Sequence, residues 1–315
     1  MQQTLTQQSQ GGLICHGGWD THHHIFEPAT FPYSASRHLT PPPATVEEYI
    51  EFRRRLGLSN SVLTHGLSYG DDCTSMKSFI PRLGASTTRG IGVIDPDHVT
   101  DDHLREMNET GVRGVRVNLY HYGAMEDVEA QKRVLSAHGA RLSAASLPWS
   151  VTMTTTRTEF WDELRPYVET TFSQFGLDLV TDHFALLKGT SMLPEKYKND
   201  PTAQPGFKAV VELVRSGRLW VKLSAPYRVS GLAPTFHDLE YLVRALVGAN
   251  KYRVLWGSDW PHTPRMKIRS PEEALKETPY LCVDDEAWLR MLRSWLSDEE
   301  WHLLMVENPG RLFEK

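Results

Sequence analysis

Arg253-Val254-Leu255-Trp256 is a short apolar run that stops on Gly257-Ser258-Asp259, two small residues and then a carboxylate. An apolar run of this length, without the alternation of a half-exposed strand, reads as a strand buried on both faces. Seven more segments toward the N-terminus read as strands: Leu219–Leu223, Asp178–Thr181, Ser150–Met153, Val112–Val117, Gly90–Ile94, Val62–Gly66 and Gly18–His22. Between them lie stretches of helical period: Asp101–Thr110, Glu126–Leu142, Arg157–Phe175, Ala203–Arg215 and His237–Val247. Thr45 with Glu48 has the spacing of a capping box that opens a helix after the first strand, and Ser297 with Glu300 repeats it near the C-terminus. Alternating β and α elements predict a parallel sheet. Eight such units predict an α/β fold, a (β/α)8 TIM barrel, spanning 13–315 as a single domain. A doubly wound open sheet is the alternative. The missing G-x-G-x-x-G after the first strand weakens its dinucleotide-binding version.

The chain has 315 residues, 40% hydrophobic and 23% charged, with a net charge of −5. One barrel domain accommodates this length, and no basic block marks a nucleic-acid footprint. Cys15, Cys73 and Cys282 are odd in number and far apart, which argues against a disulfide framework or a structural zinc site and favours a reducing, cytoplasmic location. Residues 1–12 are polar, lack the n- and h-regions of a signal peptide and read as a disordered arm. No apolar run reaches the ~18 residues of a membrane span. The expected partner is a small-molecule substrate, with no nucleic acid and no membrane, on a monomer or homodimer. The Pro-rich segment Phe31–Pro43 is too long for a tight connection and is expected to fold over the barrel mouth as a lid. Leu187–Pro205 is a second long loop.

In a barrel, catalytic residues sit at the C-terminal ends of the strands. The first strand ends in Asp20-Thr21-His22-His23-His24. Residues two apart share a side in extended chain, so His22 and His24 aim together into the mouth and His23 turns away. Paired imidazoles grip a metal or face a developing oxyanion. The sixth strand ends in Asp182-His183, where the competing reading is a helix N-cap with an incidental histidine. Asp259 ends the eighth strand, where a carboxylate can hold a metal or serve as general base. Arg116 interrupts an apolar strand and Arg228 follows the seventh. Either can clamp substrate oxygens or form an internal salt bridge. Tyr69, His38 and His262 are further substrate-binding candidates.

Taken together, Trp19-Asp20-Thr21-His22-His23-His24-Ile25-Phe26, Phe31-Pro32-Tyr33, Gly111-Val112-Arg113-Gly114-Val115-Arg116, Asp182-His183, Lys222-Leu223-Ser224 with Arg228, Gly257-Ser258-Asp259-Trp260-Pro261-His262 and Glu307-Asn308-Pro309 resemble the amidohydrolase superfamily. Within its amidohydrolase-2 branch the chain is similar to 2-pyrone-4,6-dicarboxylate lactonase-like hydrolases. The resemblance implies a barrel that opens a cyclic ester. It gives Asp259 the proton of the attacking water, His183 with His22 and His24 the oxyanion, and Arg116 and Arg228 the substrate oxygens. A metal-dependent decarboxylase of the same superfamily and a non-catalytic metabolite-binding barrel are the alternatives.

Two departures matter. The superfamily's fifth-strand histidine is absent from Ser150-Val151-Thr152-Met153-Thr154-Thr155-Thr156. The expectation is therefore that no metal is required, with one divalent ion such as zinc on His22, His24 and Asp259 as the alternative. Arginines of the pyrone-dicarboxylate lactonases are also missing from Phe184-Ala185-Leu186-Leu187-Lys188 and Leu119-Tyr120-His121. That implies a less charged, larger or aromatic lactone or ester as substrate.

Overall fold

The computed structural model describes residues 13–265 and 269–315. The arm expected over 1–12 lies outside these residues. Eight parallel strands follow one another around the sheet in chain order: β1 Trp19–His23, β2 Asn60–Thr64, β3 Thr88–Gly92, β4 Val112–Arg116, β5 Ser150–Thr152, β6 Leu179–Thr181, β7 Trp220–Ser224 and β8 Val254–Gly257. This is the (β/α)8 barrel. Its closing seam runs between β1 and the segment after β8. There the Asp259 N–H donates to His22 O at 2.8 Å and the His24 N–H to Trp260 O at 2.8 Å. Asp20 fastens the same seam, accepting the Ser258 N–H at 2.9 Å and the Ser258 hydroxyl at 2.6 Å. Gly257 permits the close approach, since a Cβ there would lie 2.7 Å from His22 Cβ and 2.9 Å from its backbone nitrogen.

Side chains alternate along each strand. One set packs outward against the helices: Leu63, Val115, Val151, Val221, Leu223, Val254 and Trp256. The other fills the barrel. Its bottom is an apolar plug of Trp19, Val62, Ile91, Val180, Trp220 and Leu255, closed by Leu312 and Phe313 from the C-terminal helix Asn308–Phe313. Two residues further along their strands, Asp182 stands above Val180, Lys222 above Trp220, and Gly257 above Leu255. The interior thus changes within one layer from apolar to ionised. On β1 the pairing with β2 shifts register between Asp20 and His23. This bulge lets Trp19 join the plug while His22 and His24 still aim inward, a re-aiming that bulges near functional sites commonly provide.

Both expected capping boxes are present, on helices Val46–Leu56 and Asp298–His302. Helix Thr74–Gly84, which links β2 to β3, carries Pro81 in its interior and no side-chain N-cap bond. Helix Asp285–Ser294 follows β8. Among the described residues no helix is long and apolar enough to cross a membrane.

Candidate active site

His22 and His24 face one side of β1. His23 faces the other, its ring stacked on Tyr49 with centroids 3.6 Å apart. His22 Nε2 lies 3.3 Å from His24 Nε2. Asp259 Oδ1 lies 3.3 Å from the first and 3.4 Å from the second. His183 Nε2 is 4.0 Å from the same oxygen. Four side chains from three strand ends therefore converge on one point.

The partners behind them assign their protons. His24 Nδ1 is 2.8 Å from Thr64 O, a pure acceptor, so it carries the hydrogen and Nε2 is a bare lone pair. His22 Nδ1 is 3.1 Å from Asp182 Oδ1, which only accepts, and 3.3 Å from Lys222 Nζ, which only donates; with the ammonium directed at Asp182 Oδ1, 3.1 Å away, the His22 hydrogen is assigned to Nδ1. His183 is arranged the other way. Its backbone N–H donates to Ser224 Oγ at 3.2 Å, and the Ser224 hydroxyl then points at Nδ1, 2.9 Å away, leaving Nε2–H as a donor into the cavity. The floor thus presents three acceptors, His22 Nε2, His24 Nε2 and Asp259 Oδ1, beside one donor.

Burial holds His22 down at about 4, with the Lys222 ammonium acting in the same direction against Asp182. Burial likewise pushes His183 well below its ordinary value, assisted by Arg228. For Asp259 burial acts upward, but the Arg228 guanidinium is foremost in overcoming it and keeps the carboxyl well below the usual range. Asp259 Oδ2 accepts from Arg228 Nη2 at 2.7 Å and from the Tyr227 hydroxyl. Its Oδ1 is buried with no hydrogen-bond donor among the described residues. Asp182 is also kept ionised: burial acts upward, and Lys222 and His22 outweigh it.

Backbone shape sets these directions. His183, Phe184, Ala185 and Leu186 all have positive φ, at 54°, 58°, 55° and 59°. Such a left-handed turn costs non-glycine residues roughly 1–2 kcal/mol each. It is held by burial of all four side chains. Asp259 itself sits at φ 62°.

Above the floor opens a cavity of about 430 Å³. Its apolar wall includes Phe26, Leu39, Leu67, Met125 and Leu186, and Thr154, Thr155 and Thr156 occupy the place of the missing fifth-strand histidine. Cations reach it as Arg116, Arg228 and Arg265, and His38 lines it too, so part of the Phe31–Pro43 segment forms wall. Arg228 is committed to Asp259. Arg116 makes one protein hydrogen bond among the described residues, Nη1 to His65 O at 3.2 Å. Two candidates stand apart from the cavity. The Tyr69 hydroxyl accepts the Glu27 N–H at 2.8 Å behind Phe26. His262 Nε2 lies 3.1 Å from Asp285 Oδ2.

Lys222 and Tyr227 are additional parts of this assembly, and Arg265 of the cavity. Lys222 had the signal that marks Arg116, a cation inside an apolar strand, and it is fully buried. Tyr227 and Arg265 lie in loops, where residue type alone carries no such signal.

The chemistry of the donor set fits a single divalent cation. An ion about 2.0–2.1 Å from tetrahedral N and O ligands puts those ligands about 3.3–3.4 Å apart, and the three floor acceptors show 3.3, 3.3 and 3.4 Å. The carbonyl and carboxylate behind the two imidazoles are the supports such ligands need. A second candidate set, His22, Asp182 and His183, overlaps the first through His22.

The chain is 31% identical over 303 residues to 4-sulfomuconolactone hydrolase of Hydrogenophaga intermedia, covering 94% of this chain and 88% of the relative. It is 26% identical over 312 residues to 2-pyrone-4,6-dicarboxylate hydrolase of Comamonas testosteroni, covering 94% and 90%. The crystal structure of a probable 2-pyrone-4,6-dicarboxylic acid hydrolase from Acinetobacter baumannii with citric acid bound shares the fold, with a TM-score of 0.70 at 22% identity over 95% of this chain and 100% of that one. A family model described as amidohydrolase matches residues 19–315. With that match spanning every strand and all four converging side chains, the chain belongs to the amidohydrolase family.

Proposed function

We propose that this chain is a lactone hydrolase whose substrate carries one anionic group on an otherwise apolar body. The observation that carries the reading is the floor itself: an unsatisfied carboxylate oxygen, two bare imidazole nitrogens and one N–H donor at the base of a half-apolar cavity. The names of the relatives, hydrolases of sulfomuconolactone and pyrone dicarboxylate, support the lactone.

In this reading Asp259 Oδ1 accepts the proton of the attacking water, because Oδ2 is occupied by Arg228 and Tyr227. His183 Nε2–H donates to the carbonyl oxygen as negative charge develops on it, the preorganised role that dominates such steps. Burial keeps that imidazole neutral, so its proton is not lost to the carboxylate beside it. His22 and His24 are acceptors and do not share the oxyanion role that the family resemblance implied for them. With Asp259 they are the residues that would hold a divalent ion, which when bound supplies a water of lowered pKa. This reading favours one divalent ion, the alternative drawn from sequence, over the expectation that no metal is required.

Substrate charge follows from the arginines. Arg228 is spent on Asp259, Arg265 lies at the exposed rim, and Arg116 is the deep cation without a carboxylate partner of its own. One deep anion site supports one carboxylate or sulfonate, not two. The free thiols of Cys15, Cys73 and Cys282 support a cytoplasmic location.

The test is turnover of a panel of neutral, monoanionic and dianionic lactones, before and after chelation, with elemental analysis of the protein. Monoanionic lactones are expected to have the highest kcat/KM, with activity lost on chelation and restored by zinc. Absence of turnover across the panel would sink the lactone reading. Full activity in metal-free protein would sink the metal alone.

A further inference from the structure

Among the described residues Lys222 is the one lysine of the barrel interior, on β7 between the apolar plug and the cavity floor, with no exposed surface. Its Nζ lies 3.1 Å from Asp182 Oδ1 and 3.3 Å from His22 Nδ1. Asp182 Oδ1 and His22 Nδ1 are themselves 3.1 Å apart, so the three groups form a near-equilateral triangle. Thr154 Oγ1 donates to the other Asp182 oxygen at 3.2 Å. Lys222 does not line the cavity. A buried ammonium is costly unless its partners are fixed and charged, and here it has a single carboxylate.

We infer that Lys222 is a positioning residue for the hydrolytic site and serves as its built-in second cation. Two overlapping groups of side chains that could hold a cation share His22: one with His24 and Asp259, one with Asp182 and His183. The ammonium already sits against His22 and Asp182, so the charge demand of the second set is met by the protein. By fixing Asp182 Oδ1 against His22 Nδ1, it holds the His22 ring in place with Nε2 turned to Asp259 Oδ1. One divalent ion, not two, is then the full complement. The metal half of this inference rests on the proposed function; the orientation of His22 does not.

The experiment compares intact wild type with Lys222→Met, which keeps length and removes charge, and with Lys222→Gln, which keeps a donor. Zinc affinity and stoichiometry are read by competition with a chromophoric chelator, and kcat and KM on the best lactone of the panel. Wild type is expected to bind one equivalent. Folded Lys222→Met is expected to lose about 10–100-fold in zinc affinity, the usual cost of removing a group behind a metal ligand. Its kcat falls similarly while KM stays within about threefold, since Lys222 touches no substrate surface. If Lys222→Met does not fold, Lys222→Gln decides, with the same direction of loss expected. Unchanged zinc affinity and kcat in the folded variant would overturn the inference. So would two zinc equivalents in wild type, or a rise in KM with kcat unaltered. Should wild type bind no zinc yet turn over the lactone, the metal reading fails by itself, and the kcat of the variants still judges Lys222.

Discussion

The two ends of the barrel interior are built on opposite principles. At the bottom, Trp19, Val62, Ile91, Val180, Trp220 and Leu255 meet Leu312 and Phe313 in a plug held mainly by shape and hydrophobicity, the Trp220 indole N–H alone among them reaching out to Asp178 Oδ1 at 2.8 Å. Two residues further up, Asp182, Lys222, His22 and Asp259 are equally buried but need specific partners, and some atoms lack them. The backbone differs as well: all four positive-φ residues of the turn after β6 belong to the upper end. Stability is concentrated in one layer and tension in the next, and the second can be tolerated because the first is there.

Substitutions can test that division. The largest expected effect is at the top: Asp259→Asn removes the proposed base and lowers kcat on a lactone by about 10²–10⁴-fold. Chemical denaturation would separate this loss from unfolding, and full activity of the variant would leave Asp259 without its role. Next is the plug. Trp220→Ala is expected to cost about 3–5 kcal/mol of unfolding free energy, while kcat per folded molecule stays within about twofold. A matching loss of kcat would show that the layers are not independent. Arg116→Met should lower kcat/KM for a monoanionic lactone by about 1.5–3 kcal/mol, the worth of hydrogen bonds to a charged group, chiefly through KM. Its thermal stability should hold or rise, because a half-buried cation without a carboxylate partner is gone. The smallest effect is in the turn. Ala185→Gly is expected to raise unfolding free energy by about 0.5–1 kcal/mol, since glycine adopts φ near +55° freely and part of the gain is offset by its larger unfolded-state entropy.

The same division explains what could be read from the chain. Strands were legible because both faces are buried: Val254–Gly257 and Trp220–Ser224 stay close to their apolar runs. The β2 and β3 boundaries fall two residues earlier than expected, at Asn60–Thr64 and Thr88–Gly92, because Ser61 and Thr88 are polar yet buried in the ladder. Helix Thr74–Gly84 is masked in the sequence by Pro81 and the missing cap, and Asp285–Ser294 by lying beyond the last strand, where the count of βα units is already complete. Charged residues at strand ends pointed to the mouth because burying them without purpose is expensive. Which of them would face the cavity depended on loops. Arg228 turned onto Asp259, and His262 turned away to Asp285, although both lie in strings that stood out. The opposite proton assignments of His183 and His22 hinge on Ser224 and Asp182, long-range partners that no local pattern announces.

The seam between β1 and the segment after β8 has a consequence for how the protein matures. Backbone bonds from Asp259 to His22 and from His24 to Trp260 join the ends of the ring and set the carboxylate against the imidazoles in one stroke. A chain with its first seven strands assembled but the eighth undocked holds His22, His24 and His183 without the Asp259 carboxylate. Ring closure and assembly of the four-residue cluster are therefore a single event, and on the proposed function a nascent polypeptide stays inert until its final strand has emerged and docked.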